Sequence, residues 1–400
     1  MTAVHPIQRA RLTAGGTGAQ NYDEFADERE ISAIIEANPR SALAIEMPHR
    51  APDSAGATFA DALPAAATRL REALADGSYD SADDVVVLYR IREPDSKAAA
   101  YGLFCLVDTD QISTGPDDPG LVIRNEEVFI EKVRERVALA EATGHLLSPV
   151  LLLQTAQGEN LQEALVASCA AAGTPAASDV DQAGRTHEIW PVPPGPTSRQ
   201  LCALAGGGEL IVADGNHRSL AAQIGTLPHF LAVVTTPTSV RIDPYHRLVS
   251  ELGQSVRELL ERLAACGASL APLTGQPSVP AQSGVVHLYA EGAGHAVELP
   301  APAEASTIER LDHALVERVL LTNVLGLQPD DKRITYVGGD YPASWLCEEV
   351  DAGRAELAVL ITPVGMEDFI SVNLARQKMP RKSTWFTPKA RAGLVLAQLG

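Results

Sequence analysis

Leu210-Ile211-Val212-Ala213-Asp214-Gly215-Asn216-His217-Arg218-Ser219-Leu220 is the stretch on which the reading of this chain turns. Its apolar run stops abruptly at Asp214-Gly215, and small and apolar residues at helical spacing follow. That order predicts a strand, a turn and a helix N-terminus. The first N–H groups of a helix have no intrahelical partners, and the helix dipole favours negative charge there, so such a turn suits an anion. Gly215 lets backbone come close, and His217 and Arg218 add donors shaped for phosphate. The same residues also suit a purely structural turn, with Asp214 as N-cap and Arg218 as a salt-bridged helix residue.

Working outward, strand and helix signals alternate along the chain, which predicts an α/β (α+β) protein. A helix begins at Asp23 and stops near Asn38-Pro39, and Ser41–Met47 reads as a strand. A helix over Phe59–Leu74 ends at Asp76-Gly77, and strands follow at Val85–Ile91 and Ala100–Val107, joined around Pro94-Asp95. Gly115–Gly120 reads as a turn, Leu121–Ile123 as a short strand and Glu126–Ala142 as an amphipathic helix with Gly144 as its stop. Strands at Pro149–Leu153, His187–Val192 and Phe230–Thr235 and helices at Leu161–Ala172 and Leu248–Cys266 complete the central part. Beyond it come strands near 285–289 and 296–299, a helix over Ile308–Leu325, strands near Ile334 and Leu357, and a terminal helix from Pro388. The expected organisation is a loosely ordered 1–20, a core over 21–270 carrying the central turn, and a C-terminal α/β segment over 285–400. The Pro/Gly/Ser-rich stretch Pro272–Gly284 is the boundary between the last two.

Composition limits the partners. The chain has 400 residues and a formal charge of −19, from 32 Lys and Arg against 51 Asp and Glu. Such a surface repels nucleic-acid backbones and anionic membranes, so any phosphate site must be a local basic pocket. The five cysteines, Cys105, Cys169, Cys202, Cys266 and Cys347, are scattered and read as buried free thiols, which points to a reducing cytoplasm. No signal-peptide pattern and no apolar run of membrane-spanning length is visible.

Three further clusters carry charge. Pro244-Tyr245-His246-Arg247 is read as a second His-Arg pair where the chain turns into a helix. Arg376–Lys389 holds five basic residues in fourteen within an otherwise acidic chain, including Lys382-Ser383-Thr384, which lacks the glycines of a P-loop. It reads as a flap or wall for an anionic ligand, or as a solvated basic loop. Arg124-Asn125-Glu126-Glu127 offers a carboxylate that can act as general base or hold a metal, although acidic residues in a first helical turn also complement the dipole. No structural zinc spacing, Gly-x-Ser-x-Gly elbow or dinucleotide fingerprint is present.

Three of these motifs occur together in one family. Asp214–Arg218, Pro244–Arg247 and the Met379–Lys389 signature, with Asn38-Pro39, Arg124-Asn125-Glu126 and Ile334-Thr335-Tyr336 in order, resemble the domain-of-unknown-function 1015 family from about Tyr22 onward. Its central turn is similar to that of the ParB/sulfiredoxin-like fold, and in particular to the free serine kinases built on it. The resemblance implies a ParB/sulfiredoxin-like core with N- and C-terminal elaborations. It implies that Asp214 orients a metal or the substrate hydroxyl, that Gly215, Asn216, His217 and Arg218 cradle nucleotide phosphates, and that Glu126 is the base. His246, Arg247 and Lys382, with Ser383 and Thr384, would complete the anion pocket, and Mg2+ with ATP or ADP would be the cofactor. Asn216 and Asn125 stand where the family has histidines.

Two functions are expected on this basis. The first is a cytoplasmic phosphotransferase acting on a small hydroxyl-bearing metabolite such as serine, since phosphoryl transfer needs positioning, charge neutralisation and a base. The alternative is a nucleotide-binding or nucleotide-hydrolysing regulator without a metabolite acceptor. A redox role fails on the absence of a cysteine in the turn.

Overall fold

The computed structural model describes residues 3–17, 20–25, 28–94, 98–113, 115, 118 and 120–400. Gly18, Asp95 and part of the Gly115–Gly120 turn lie outside them. The chain divides into two compact units, residues 1–241 with 388–400, and residues 242–387. The stretch expected as a boundary, Pro272–Gly284, lies inside the second unit, where it joins the strands Ser269–Pro272 and Val285–Ala290. Proline and glycine there interrupt a sheet connection within one unit.

The first unit is built on a mixed sheet of twelve strands among the described residues. In chain order they are β1 (Val4–His5), β2 (Ile7–Thr13), β3 (Tyr79–Arg92), β4 (Ala99–Asp108), β5 (Val122–Arg124), β6 (His145–Leu146), β7 (Val150–Gln154), β8 (Ala177–Val180), β9 (Thr186–Val192), β10 (Leu210–Asp214), β11 (His229–Thr235) and the C-terminal strand Val395–Gln398. The path runs β5-β10-β7-β11-β4-β3-β2, then Val395–Gln398, then β6, with β1 on β4 and the β8–β9 pair on β3. β10 is parallel to β5 and antiparallel to β7, and β7 is parallel to β11. The central strands are apolar without alternation. β7 reads Val-Leu-Leu-Leu-Gln and is buried throughout, as a strand covered on both faces must be.

Helices supply both covers. Among them are α1 (Glu28–Ala37), α2 (Leu43–Glu46), α3 (Phe59–Ala75), α4 (Ile130–Thr143), α5 (Gly158–Ala171), α6 (Pro196–Ala205) and α7 (Asn216–Ile224). α5 and α6 bury Leu161, Leu165, Cys169, Leu201, Cys202 and Ala205 against β3, β4, β7, β10 and β11. α2, α3 and α4 pack Ile45, Ala66, Leu70 and Leu139 with Tyr79, Leu147 and Leu396. Thr58 and Asp61 form a capping box at the start of α3, and Gly144 ends α4 in the left-handed conformation that its missing Cβ permits.

The second unit holds a six-stranded antiparallel sheet in the order 269–272, 293–298, 285–290, 357–360, 245–249, 334–338. Period-two alternation divides its side chains. Val249, Val286, Leu288, Leu357 and Val359 pack with the helix Val256–Ala265 and the π-helical Val316–Leu325. Leu248, Tyr289, Ala358 and Leu360 face Leu346 and Cys347 of the helix Ala343–Asp351.

Five expectations need correction. Within the expected loose segment 1–20, residues 4–13 are ordered, because β1 and β2 are sheet strands whose Val4, Ile7, Ala10 and Leu12 are buried. Ser41–Met47 holds the short helix α2 rather than a strand, with all four of its residues buried. Short apolar runs carry no period that separates the two. The segment after Pro388 is not a helix. It ends in the strand Val395–Gln398, between β2 and β6. His246 and Arg247 lie inside the strand Tyr245–Val249, and the helix starts only at Val256, where Ser255 and Glu258 form a capping box. Cys266 is exposed, while the other four thiols are buried. No helix among the described residues is long and apolar enough to cross a membrane.

Candidate functional site

Two parallel strands, β5 and β10, end side by side, with Val122, Ile123 and Arg124 opposite Leu210, Ile211 and Val212. Glu126 follows one end and Asp214 closes the other, so segments far apart in sequence meet at the carboxyl edge of a pair of parallel strands. In open α/β sheets that edge is where ligands sit. A register shift between Val212 and Asp214 bends β10 where it leaves its partner β7. Gly215 then takes φ +95°, and α7 begins at Asn216.

Arg218 folds back over the turn. A Cβ on Gly215 would lie 2.9 Å from its Nε, so glycine is required both by the backbone angle and by the guanidinium above it. Arg218 Nη2 donates to Asp214 Oδ2 at 2.6 Å and lies 3.8 Å from Asp23 Oδ2. Lys389 Nζ donates to Asp214 Oδ1 at 3.2 Å. Both oxygens of Asp214 are therefore held by cations. Burial opposes the charge on Arg218, but Asp214, then Asp23, Tyr22 and Glu46, outweigh it and raise its pKa. Its Nε and Nη1 are buried and meet no hydrogen-bond acceptor among the described residues. Two buried donors without acceptors are what an anion would satisfy.

The loop carrying Glu126 is latched to α7. Asn216 Nδ2 donates to Asn125 Oδ1 at 2.5 Å, and the Asn125 N–H donates to Asn216 Oδ1 at 3.2 Å. The Phe129 N–H donates to His217 Nε2 at 3.1 Å, and the two rings stack with centroids 6.2 Å apart. These bonds tie residues 125–129 to α7 outside any helix. They explain why α4 starts at Ile130 and not at the predicted Glu126. Asn216 and Asn125, at positions where the resemblance implies histidines, contact each other. His217 accepts through Nε2, so its neutral form carries the ring proton on Nδ1.

Four residues that the sequence reading did not assign surround this turn. Glu46, on α2, is buried, and burial, only partly offset by Arg136 and Arg218, lifts its carboxyl to about 7. Arg136 lies over the rings of Tyr22 and Phe59, at 4.2 and 5.0 Å. Glu46, Arg136 and Arg218 line one pocket, whose other walls include Leu139, Phe230 and Leu231. Arg391 pairs with Glu24 and donates to Asp181 Oδ2 at 2.9 Å. Lys389 lies within the C-terminal signature, and its alternation with Arg391 is the sequence signal for this pair of cations.

The remaining predicted residues lie in the second unit. His246 is buried, its Nδ1 accepts the Ile361 N–H at 3.1 Å, and burial with Arg247 beside it lowers its pKa to about 3. It is a neutral strand residue. Arg247 donates to the carbonyls of Tyr245, His246, Arg381 and Lys382 at 3.0–3.3 Å, which shapes the loop that carries Lys382. Lys382 has φ +52° and places Nζ 5.6 Å from the Tyr245 ring centre. Ser383 is fully buried with no hydrogen-bond partner for its hydroxyl among the described residues, and Thr384 is half-buried.

No curated protein matches the chain. Solved structures similar to it include a free serine kinase in complex with AMP, at 11% identity, covering 71% of this chain and 87% of that one, with a TM-score of 0.38. A conserved hypothetical protein from Pyrococcus furiosus gives 13%, 72%, 93% and 0.38. SbnI with C-terminal truncation from Staphylococcus aureus gives 12%, 72%, 84% and 0.38. TM-scores at this level do not establish a shared fold. The sequence profile described as "Protein of unknown function (DUF1015)" matches residues 5–314, and the chain belongs to that family.

Proposed function

We propose that the protein is a small-molecule phosphotransferase with a ParB/sulfiredoxin-like core, moving a phosphoryl group from ATP or ADP to a hydroxyl-bearing metabolite such as a free hydroxy amino acid. The observation that carries this reading is Arg218, buried over a glycine turn at a helix N-terminus with two donor nitrogens that lack acceptors among the described residues. Phosphate oxygens match that need in charge and geometry.

In this reading Glu126 takes the proton of the acceptor hydroxyl, and Arg218 and the first amides of α7 hold the transferring phosphate. Asp214 acts through Arg218 and Lys389, fixing both cations. With both oxygens so engaged, Asp214 does not fit as a metal ligand. Magnesium would enter with the nucleotide and supply charge neutralisation at its phosphates. The enzyme's own donors orient the phosphate chain against Glu126. A cytoplasmic location suits those substrates.

Phosphorus NMR of the protein with magnesium, ATP or ADP and a pooled set of hydroxy amino acids and hydroxy acids tests the proposal. A new phosphomonoester signal is expected, reduced about a hundredfold or more in Glu126→Gln. Arg218→Lys, with circular dichroism as the folding control, is expected to weaken nucleotide binding. Lys382→Met tests the loop of the second unit separately. Release of free phosphate with no acceptor product would replace the transferase by a nucleotide-hydrolysing regulator. Neither product nor nucleotide binding would overturn both.

A further inference from the structure

A second cluster lies in the first unit, on strands that the phosphate reading does not use. β1, β4 and β11 bring His5, Asp108 and His229 together from positions far apart in sequence. The register sets His229 opposite Asp108, and β1 runs along the other side of β4 with His5 opposite Leu106. Backbone bonds fix the approach on both sides: Asp108 N–H donates to the Ala3 carbonyl, and Thr109 N–H to the Pro228 carbonyl, each at 3.0 Å.

The side chains converge on one point. His5 Nε2 lies 2.9 Å and His229 Nε2 3.2 Å from the same oxygen, Asp108 Oδ1. One ligand atom from each of the three residues fits within a 4.8 Å group, the imidazole rings standing edge to face with centroids 5.3 Å apart. The His5 contact is close but not a hydrogen bond, since its Nε2 is buried and finds no hydrogen-bond partner among the described residues. Two imidazole nitrogens about 3 Å from one carboxylate oxygen, one of them without a hydrogen bond to it, resemble the edges of a metal polyhedron. With bonds of about 2.0–2.2 Å, tetrahedral ligands sit roughly 3.3 Å apart.

We propose that His5, Asp108 and His229 form a binding site for a zinc-class divalent cation. Two imidazoles and a carboxylate suit zinc and its first-row neighbours better than calcium or magnesium, which prefer oxygen ligands. Three protein ligands leave a fourth position for water, and the side chains are between a quarter and two-fifths exposed, so solvent reaches the site. The ion would also cross-link the two-residue strand β1 to the sheet, because its ligands come from three strands.

The test is titration of metal-stripped, untagged full-length protein with Co2+, read by its visible d–d bands, with Zn2+ competition. One tight equivalent with intensified low-symmetry bands, displaced by Zn2+, is expected. His229→Gln, His5→Gln and Asp108→Asn are each expected to weaken it at least about tenfold. Zn2+ is expected to raise the melting temperature of the parent chain and not of His229→Gln. Titrations of parent and variants that superimpose, or bands of hexaaquo type only, would overturn the site. X-ray absorption of the zinc-loaded parent chain gives an answer independent of how the variants fold. Two imidazole ligands support the proposal, and none refutes it.

Discussion

Glu46 shows how much a single buried carboxyl sets at this site. Its pKa lies near 7 because burial penalises the carboxylate more than Arg136 and Arg218 favour it. The ordinary value is 4.5, so the folded state binds the proton more tightly than the unfolded chain. Below pH 4.5 both states are protonated and Glu46 costs nothing. As pH rises toward 7 the unfolded chain alone ionises, and the folded state loses up to about 3 kcal/mol relative to it, a loss complete above 7. Glu46→Gln removes this term. The variant's melting temperature relative to the parent is expected to rise between pH 5 and pH 8. A difference independent of pH would show that Glu46 does not titrate in this range. The central turn was legible in sequence because strand end, glycine and arginine are adjacent. Glu46 was not, because its carboxyl is perturbed by residues 90 and 172 positions away, and nothing in Leu43–Glu46 reports that burial.

At the scale of elements, the latch between the 125–129 loop and α7 decides where Glu126 stands. Asn216→Ala removes both of its bonds to Asn125 and is expected to cost about 1–3 kcal/mol, measured by urea denaturation. Hydrogen exchange should also quicken at the amides of Asn125 and Phe129. Unchanged protection at both would mean that other contacts hold the loop. The predicted helix over Glu126–Ala142 was right in periodicity and wrong at its start for this reason. An amphipathic pattern reports which face is buried, whereas the first residues were claimed by side chains of another element. His246-Arg247 failed differently. As a motif it resembled the central pair, but the strand Tyr245–Val249 is buried on both faces, and its histidine is neutral there.

At the scale of the molecule, the ends of the chain meet inside the first unit. Asn21 donates to the Ala390 carbonyl at 2.9 Å and accepts the Ala392 N–H at 2.8 Å, while Glu24 and Asp181 share Arg391. The C-terminal segment thus brings two cations, Lys389 and Arg391, to carboxylates of earlier segments, and the next residues insert as a strand beside β2. No local pattern distinguishes this from a basic tail, because the partners lie as much as 367 residues away in the chain. Arg391→Met leaves two buried carboxylates without their shared cation and is expected to destabilise the protein by about 3–5 kcal/mol. Burial opposes the charge on Glu24 and raises its pKa, with Arg391 and Lys389 working against that rise. Adding Glu24→Gln should therefore recover part of the loss, giving a coupling energy in a double-mutant cycle measured by denaturant unfolding. Additive effects would mean that the two termini are held by the Asn21 bonds and strand pairing, with the ion pair making no net contribution.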